Sequence, residues 1–294
     1  MKTITYGLKI LAGTLTLSAG LVFGSMLSTA LKLKGPQMPV AVDLRVMGLW
    51  SLVAGVTMTL GVAEIARRLR GGFVSRWLTV SWLTYACVGI ANPMEAAFFT
   101  TLGGSAYMAV SWVPASLLLG LMTVLLFQNV TKHVAPRPGA RAFFASRTAP
   151  EWVVRLMAAW LAFPLVYFIF GMMVGPVVVS TYREGLFGLR LPGLGVIIVL
   201  QLVRGLIVLL GSLPILIAWS DSSRKFWITF SLGLFVLLGL YGLMQGYWLP
   251  WGMRGLHALE ILADALVYGW VLTTVLLTRE PPHREREPAA VAPA

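Results

Sequence analysis

Charge is scarce in this chain. Only 12 % of its 294 residues are Asp, Glu, Lys or Arg, about half the share of a soluble domain. Mean hydropathy is +0.82. Together these exclude an ordinary soluble enzyme. The net charge of +12 does not point to nucleic acid, because most basic residues stand in short stretches between apolar runs. There they act as topology signals and contacts for anionic lipid.

Cysteine and histidine are also nearly missing. With Cys87 alone, no disulfide forms within the chain and no cysteine cluster holds a metal. The three histidines are His133, His257 and His283, which leaves no pair to ligate a haem inside a bilayer. There is no His-Glu-x-x-His, no Gly-x-Ser-x-Gly and no phosphate-binding loop. Accordingly no catalytic residue, cofactor or metal ligand is expected. His257-x-x-Glu260 is at most two ligands, a common coincidence.

What the chain has in plenty is long apolar runs. Eight reach the roughly 20 residues that cross a bilayer, near 8–31, 44–66, 76–98, 105–127, 154–178, 194–219, 226–248 and 256–278. Hydrocarbon offers the backbone no hydrogen bonds, so each is expected to be a helix. The fold class is therefore all-α, a polytopic membrane bundle. Asn92-Pro93 is expected to break the third segment, and Pro164 and Pro176 to kink or cap the fifth. The first run resembles a signal peptide in its Lys2 and Lys9 start, but it reaches spanning length and reads as a retained helix.

Placing both termini in the cytoplasm puts sixteen lysines and arginines inside and six outside, with Arg204 within a span. This bias favours that orientation. Few lysines in the loops and no organelle signal suit a bacterial plasma membrane.

A shift of 150 positions brings the two halves into register. Ser51-Leu-Val-Ala-Gly55 meets Gln201-Leu-Val-Arg-Gly205, and Trp77-Leu-Thr-Val-Ser81 meets Trp227-Ile-Thr-Phe-Ser231. Gly61 meets Gly211 and Gly89 meets Gly239. Four helices per unit is an even number, so the expectation is two parallel repeats about an axis along the membrane normal. Residues 1–127 form the first, 128–151 a basic cytoplasmic linker, 152–278 the second, and 279–294 a disordered cytoplasmic tail. Phe143-Phe144 is expected to dip into the headgroups.

Polar residues inside the spans are the functional signal. Arg204 lies near the centre of the sixth, and its guanidinium keeps its charge there. His257, Glu260, Asp264 and Tyr268 recur at steps of three and four, one stripe of the last helix. Counting at about 1.5 Å per residue from the outer ends puts Asp264 level with Arg204, so Asp264 is the expected partner and Glu260 the second choice. Gln201, Gln245, Asn92 and Glu95 fall in the same outer half. Glu64 is expected to pair with Arg67 and Arg68 at the inner boundary. This constellation reads as a transporter or small-ligand-binding site around Arg204, Glu260 and Asp264, with a small anionic ligand as its partner. The alternative is a structural or accessory membrane protein whose cluster is a buried ion pair, and the third reading is a membrane-embedded enzyme of unknown chemistry.

Overall fold

The computed structural model describes residues 2–39, 41, 43–127 and 139–277; residues 128–138, the first part of the expected linker, and the tail 279–294 lie outside these. The described chain is all-helical. In order come α1 (Lys2–Ala30) and α2 (Leu44–Ala66). Helix α3 is α-helical over Phe73–Thr84, π-helical over Tyr85–Ala91 and α-helical again over Asn92–Phe99. Then follow α4 (Ser105–Leu126), α5 (Ala149–Arg183) and α6 (Leu194–Ala218). Helix α7 runs over Ser223–Phe235, a π-turn Val236–Leu240 and Tyr241–Gln245. Helix α8 covers Trp251–Leu272 and closes on a π-turn, Thr273–Leu277.

Seven of these helices are long and apolar enough to cross a membrane; α3, richer in Ser, Thr and Trp, falls outside that set. Their outward faces carry the apolar side chains that a soluble protein would bury: Leu15, Val22 and Met26 on α1, and Met172 and Met173, each 70 % exposed, on α5. The chain is a multi-pass membrane protein in a lipid environment.

Local chemistry explains the helix starts. Asp43 caps α2 by accepting from the Arg45 and Val46 amides. Thr148 and Glu151 form a reciprocal capping box on α5. Ser222 caps α7 through the Lys225 amide. The expected break at Asn92-Pro93 does not occur. Pro93 sits in the first turn of the resumed helix, and the π-turn before it passes the Asn92 amide to the Cys87 carbonyl. The wider turn absorbs the donor that proline lacks. Helix α5 likewise runs unbroken through Pro164 and Pro176, and reaches five residues past the expected end. Of the Phe143-Phe144 pair, Phe143 is buried and packs at 5.0 Å from the Trp152 ring, while Phe144 is 41 % exposed.

The loops gather at two ends. At one, Arg70 donates its amide to Ala218 and Ser220 donates to Arg68, around the Leu69–Trp219 bridge. Glu64 takes Arg67 at 2.6 Å and Arg68 at 2.5 Å there, as its spacing implies. At the other, Thr101 donates to Gly188 and Arg190 to Phe99, and Gln37 donates to Leu102. Helix α3 leaves the first end and finishes at the second.

Contacts recur at positions about 150 apart. The Trp77 indole donates to Leu117 at 2.8 Å, and the Trp227 indole to Leu266 at 2.9 Å. Gly61 lies against Val236 while Gly211 lies against Ala86. Gly120 admits Ser81 and Gly269 admits Ser231, both so closely that a Cβ would overlap the serine hydroxyl. One pair departs from this likeness. Gly24 on α1 presses on the Ser111 backbone of α4, whereas a Cβ on Gly171 of α5 would meet only Glu260, at 3.5 Å.

That difference is measurable. Gly24→Ala forces backbone to move and should cost about 1–3 kcal/mol, the usual range for overpacking. Gly171→Ala should leave stability within about 0.5 kcal/mol of the parent. Thermal unfolding of the purified variants in detergent compares them directly, and equal losses would contradict the looser packing of α5 on α8.

Candidate functional site

Arg204 is 4 % exposed. Its Nη1 donates to Glu95 Oε1 at 2.6 Å and to Gln201 Oε1 at 3.0 Å. Its guanidinium also stands 5.8 Å from the centre of the Phe163 ring. A charge at the centre of a span costs about 2.5–3.5 kcal/mol on insertion scales, so a partner is required. That partner is Glu95, not the expected Asp264 or Glu260. Helix α6 packs along α5 and α3, and no comparable approach joins it to α8. Counting residues from helix ends gives depth but not direction around the bundle, and direction decided the pairing.

The stripe on α8 is occupied differently. His257 Nδ1 and Glu260 Oε2 are 2.7 Å apart, and His257 Nε2 lies 3.3 Å from the Tyr182 hydroxyl. A neutral imidazole that donates from Nδ1 to the carboxylate and accepts at Nε2 from the tyrosine satisfies both contacts. One turn deeper, Asp264 Oδ1 is buried with no hydrogen-bond partner among the described residues. The same holds for the hydroxyl of Tyr268, for Gln201 Nε2 and for Arg204 Nε. These orphans belong to one neighbourhood. Asp264 stands in the field of Glu260, Arg204 and Glu95. Tyr167 feels Glu95, Arg204, Glu260 and Tyr182. Phe163 touches both Arg204 and, at 5.3 Å, the Tyr268 ring.

The other two expected residues serve as interhelical ties. Asn92 Nδ2 donates to the Leu237 carbonyl at 2.9 Å, linking the π-turns of α3 and α7. Gln245 accepts from Ser51 at 3.3 Å, linking α7 to α2. Sequence reasoning missed Phe163, Tyr167 and Tyr182. Tyr182 lies beyond the expected end of its span, and the other two read as ordinary apolar-face residues until the helix they line is placed against Arg204 and α8.

Among the described residues, α2 and α4 of the first half carry no such cluster. At the position 150 before Arg204 stands Ala54, fully buried. On α4, at the offset of 149 that relates Leu117 to Leu266 and Gly120 to Gly269, the positions matching His257, Glu260, Asp264 and Tyr268 hold Met108, Ser111, Ala115 and Leu119. Ser111 is satisfied by Ser28 at 3.0 Å. Among the described residues no three His, Cys, Asp or Glu side chains converge as a metal-ligand set. Comparison with family models, with curated proteins and with solved structures yields no match.

The pairing predicts a double-mutant cycle. Arg204→Leu strands Glu95, and Glu95→Leu strands Arg204; each should cost about 3 kcal/mol, the low end for a buried pair, because Glu95 is 29 % exposed. The double variant should recover much of that loss, whereas Arg204→Leu combined with Asp264→Leu should not. Thermal denaturation in detergent supplies the readout. Additive losses for the first pair would overturn it.

Proposed function

We propose that the protein is an eight-span membrane protein built as two parallel four-helix repeats, in which the second repeat holds or moves a small polar solute. The repeats correspond to residues 1–127 and 152–278, joined by the basic linker, with both termini in the cytoplasm and the plasma membrane as the site. Support for eight spans comes from α3, which starts at one end of the bundle and finishes at the other. Support for the repeat comes from the contacts that recur about 150 positions apart, including the reciprocal Arg70–Ala218 and Ser220–Arg68 bonds. The charge bias of the loops supports the orientation and brings the inner arginines to anionic lipid.

One observation carries the functional reading: four buried polar atoms without partners among the described residues are grouped on α6 and α8, whereas α2 and α4 carry none. A native interior satisfies such atoms. Gln201 Nε2, Arg204 Nε, Asp264 Oδ1 and Tyr268 OH are what a polar guest would satisfy. Arg204 is the anion receptor of this site, and Glu95 occupies the guest's place at its guanidinium in the form seen. A solute bearing a carboxylate or similar group then binds by exchange with Glu95, while His257, Glu260 and Asp264 meet its polar remainder.

The pair itself favours a second reading. A charge-assisted contact of 2.6 Å between α3 and α6 is also what a purely structural tie requires.

A stability screen separates the two. Purified wild type and Glu95→Gln are heated with small carboxylates, amino acids and sugars. The exchange account expects at least one anionic solute to stabilise wild type, and to bind Glu95→Gln about tenfold tighter because its competitor is gone. If Glu95→Gln only loses stability and no solute shifts either protein, the structural reading stands.

A further inference from the structure

A second cation poses a problem that the polar site does not solve. Arg254 lies in the first turn of α8 and is 6 % exposed. A helix N-terminus carries partial positive charge, so a buried arginine there is repelled. No acidic side chain offsets it among the described residues. The first turn holds no acidic residue, the N-cap is Pro250 with no side-chain cap, and no carboxylate pairs with Arg254 among the described residues.

What holds Arg254 is aromatic. Its guanidinium sits 4.3 Å from the Trp50 ring centre and 4.6 Å from that of Trp251, and the two indoles lie 5.4 Å apart. Its Nε donates to the Leu243 carbonyl at 2.9 Å. The two terminal nitrogens donate to no acceptor among the described residues, yet neither is sealed from the surface. The guanidinium thus rests against two indoles tilted 59° to each other, on a helix whose first turn has no side-chain cap. Stacking on aromatic faces offsets part of the burial cost but satisfies none of those donors.

We propose that Arg254, the uncapped first-turn amides of α8 and the Trp50–Trp251 pair form a binding site for a phosphate-type oxyanion, the group carried by phospholipid headgroups and by inorganic phosphate. A planar fork matches two oxygens of such a group, and helix amides pointing at an anion complete it. Tryptophans at a span end sit at headgroup depth, where lipid phosphate is found. The site lies on a different charge from Arg204, so it stands or falls apart from the solute-binding reading.

The test uses full-length protein, delipidated in an uncharged detergent. Its melting temperature is followed against short-chain phosphatidylglycerol, inorganic phosphate, chloride at matched ionic strength, and short-chain diacylglycerol. Stabilisation by phosphatidylglycerol alone assigns the site to a lipid headgroup; stabilisation by inorganic phosphate as well assigns it to the oxyanion whatever its source. In either case Arg254→Gln should weaken the apparent affinity about tenfold or more, and Arg45→Gln, which removes an exposed charge near the same end, should leave it unchanged. Should Arg254→Gln not fold, Arg254→Lys keeps the charge but loses the fork, and it too should bind more weakly than wild type. If neither phosphate compound stabilises the protein, if diacylglycerol stabilises as well as phosphatidylglycerol, or if the Arg254 variant that folds binds like wild type, the proposal is wrong.

Discussion

A guanidinium cannot shed its charge, and hydrocarbon gives it nothing to bond to. Much of what distinguishes the second half of this protein follows from that demand at Arg204. Its acceptor comes from the other half, from Glu95 on α3, so the pair crosses the seam between α3 and α6. The π-turn over Tyr85–Ala91 helps to set that geometry. Such a turn carries one residue more than the α-helix, which rotates everything beyond it by about 100°. Glu95 lies just beyond. The same turn is pinned from α7 by the Asn92–Leu237 bond, so the carboxylate is held in place by neighbours on both sides.

Helices α4 and α8 make similar close contacts, Gly120 with Ser81 and Gly269 with Ser231, but their surroundings are finished in two ways. Around α4 the interior is closed with alanine, serine and leucine, and α1 lies so near that Gly24 has no room for a side chain. Around α8 the corresponding face carries histidine, two carboxylates and a tyrosine, and α5 stands further off. There Asp264 Oδ1 and the Tyr268 hydroxyl are buried without a partner among the described residues, at a cost of roughly 1–3 kcal/mol for each unmet group. The looser packing of α5 is consistent with an interior that receives a polar guest.

Hydropathy made the long helices legible, because hydrocarbon imposes length and composition together. The pairing of Glu64 with Arg67 and Arg68 was legible for a similar reason, since spacings of three and four settle it within one helix. The stripe on α8 was readable too, and His257 and Glu260 do meet. Contacts between helices were not. Arg204 and Asp264 share a depth in the count, yet α6 turns its polar face to α3, and no local pattern records that choice. Pro93 misled because a proline is read as a break, whereas here a π-turn accommodates it. Tyr182 went unseen because α5 continues past the point where its apolar run ends.

Solute binding as proposed requires the polar face of α8 to open to water from the end of the bundle holding Arg254, while the corresponding residues of α4 stay dry. Single cysteines test it most directly, in a background where the buried Cys87 is replaced by serine. A membrane-impermeant thiol reagent is applied from the side on which that end lies. The account predicts that cysteine at Asp264 reacts and cysteine at Ala115 does not. If both stay unreactive, or both react alike, the two halves do not differ in this way and the polar cluster is a structural tie.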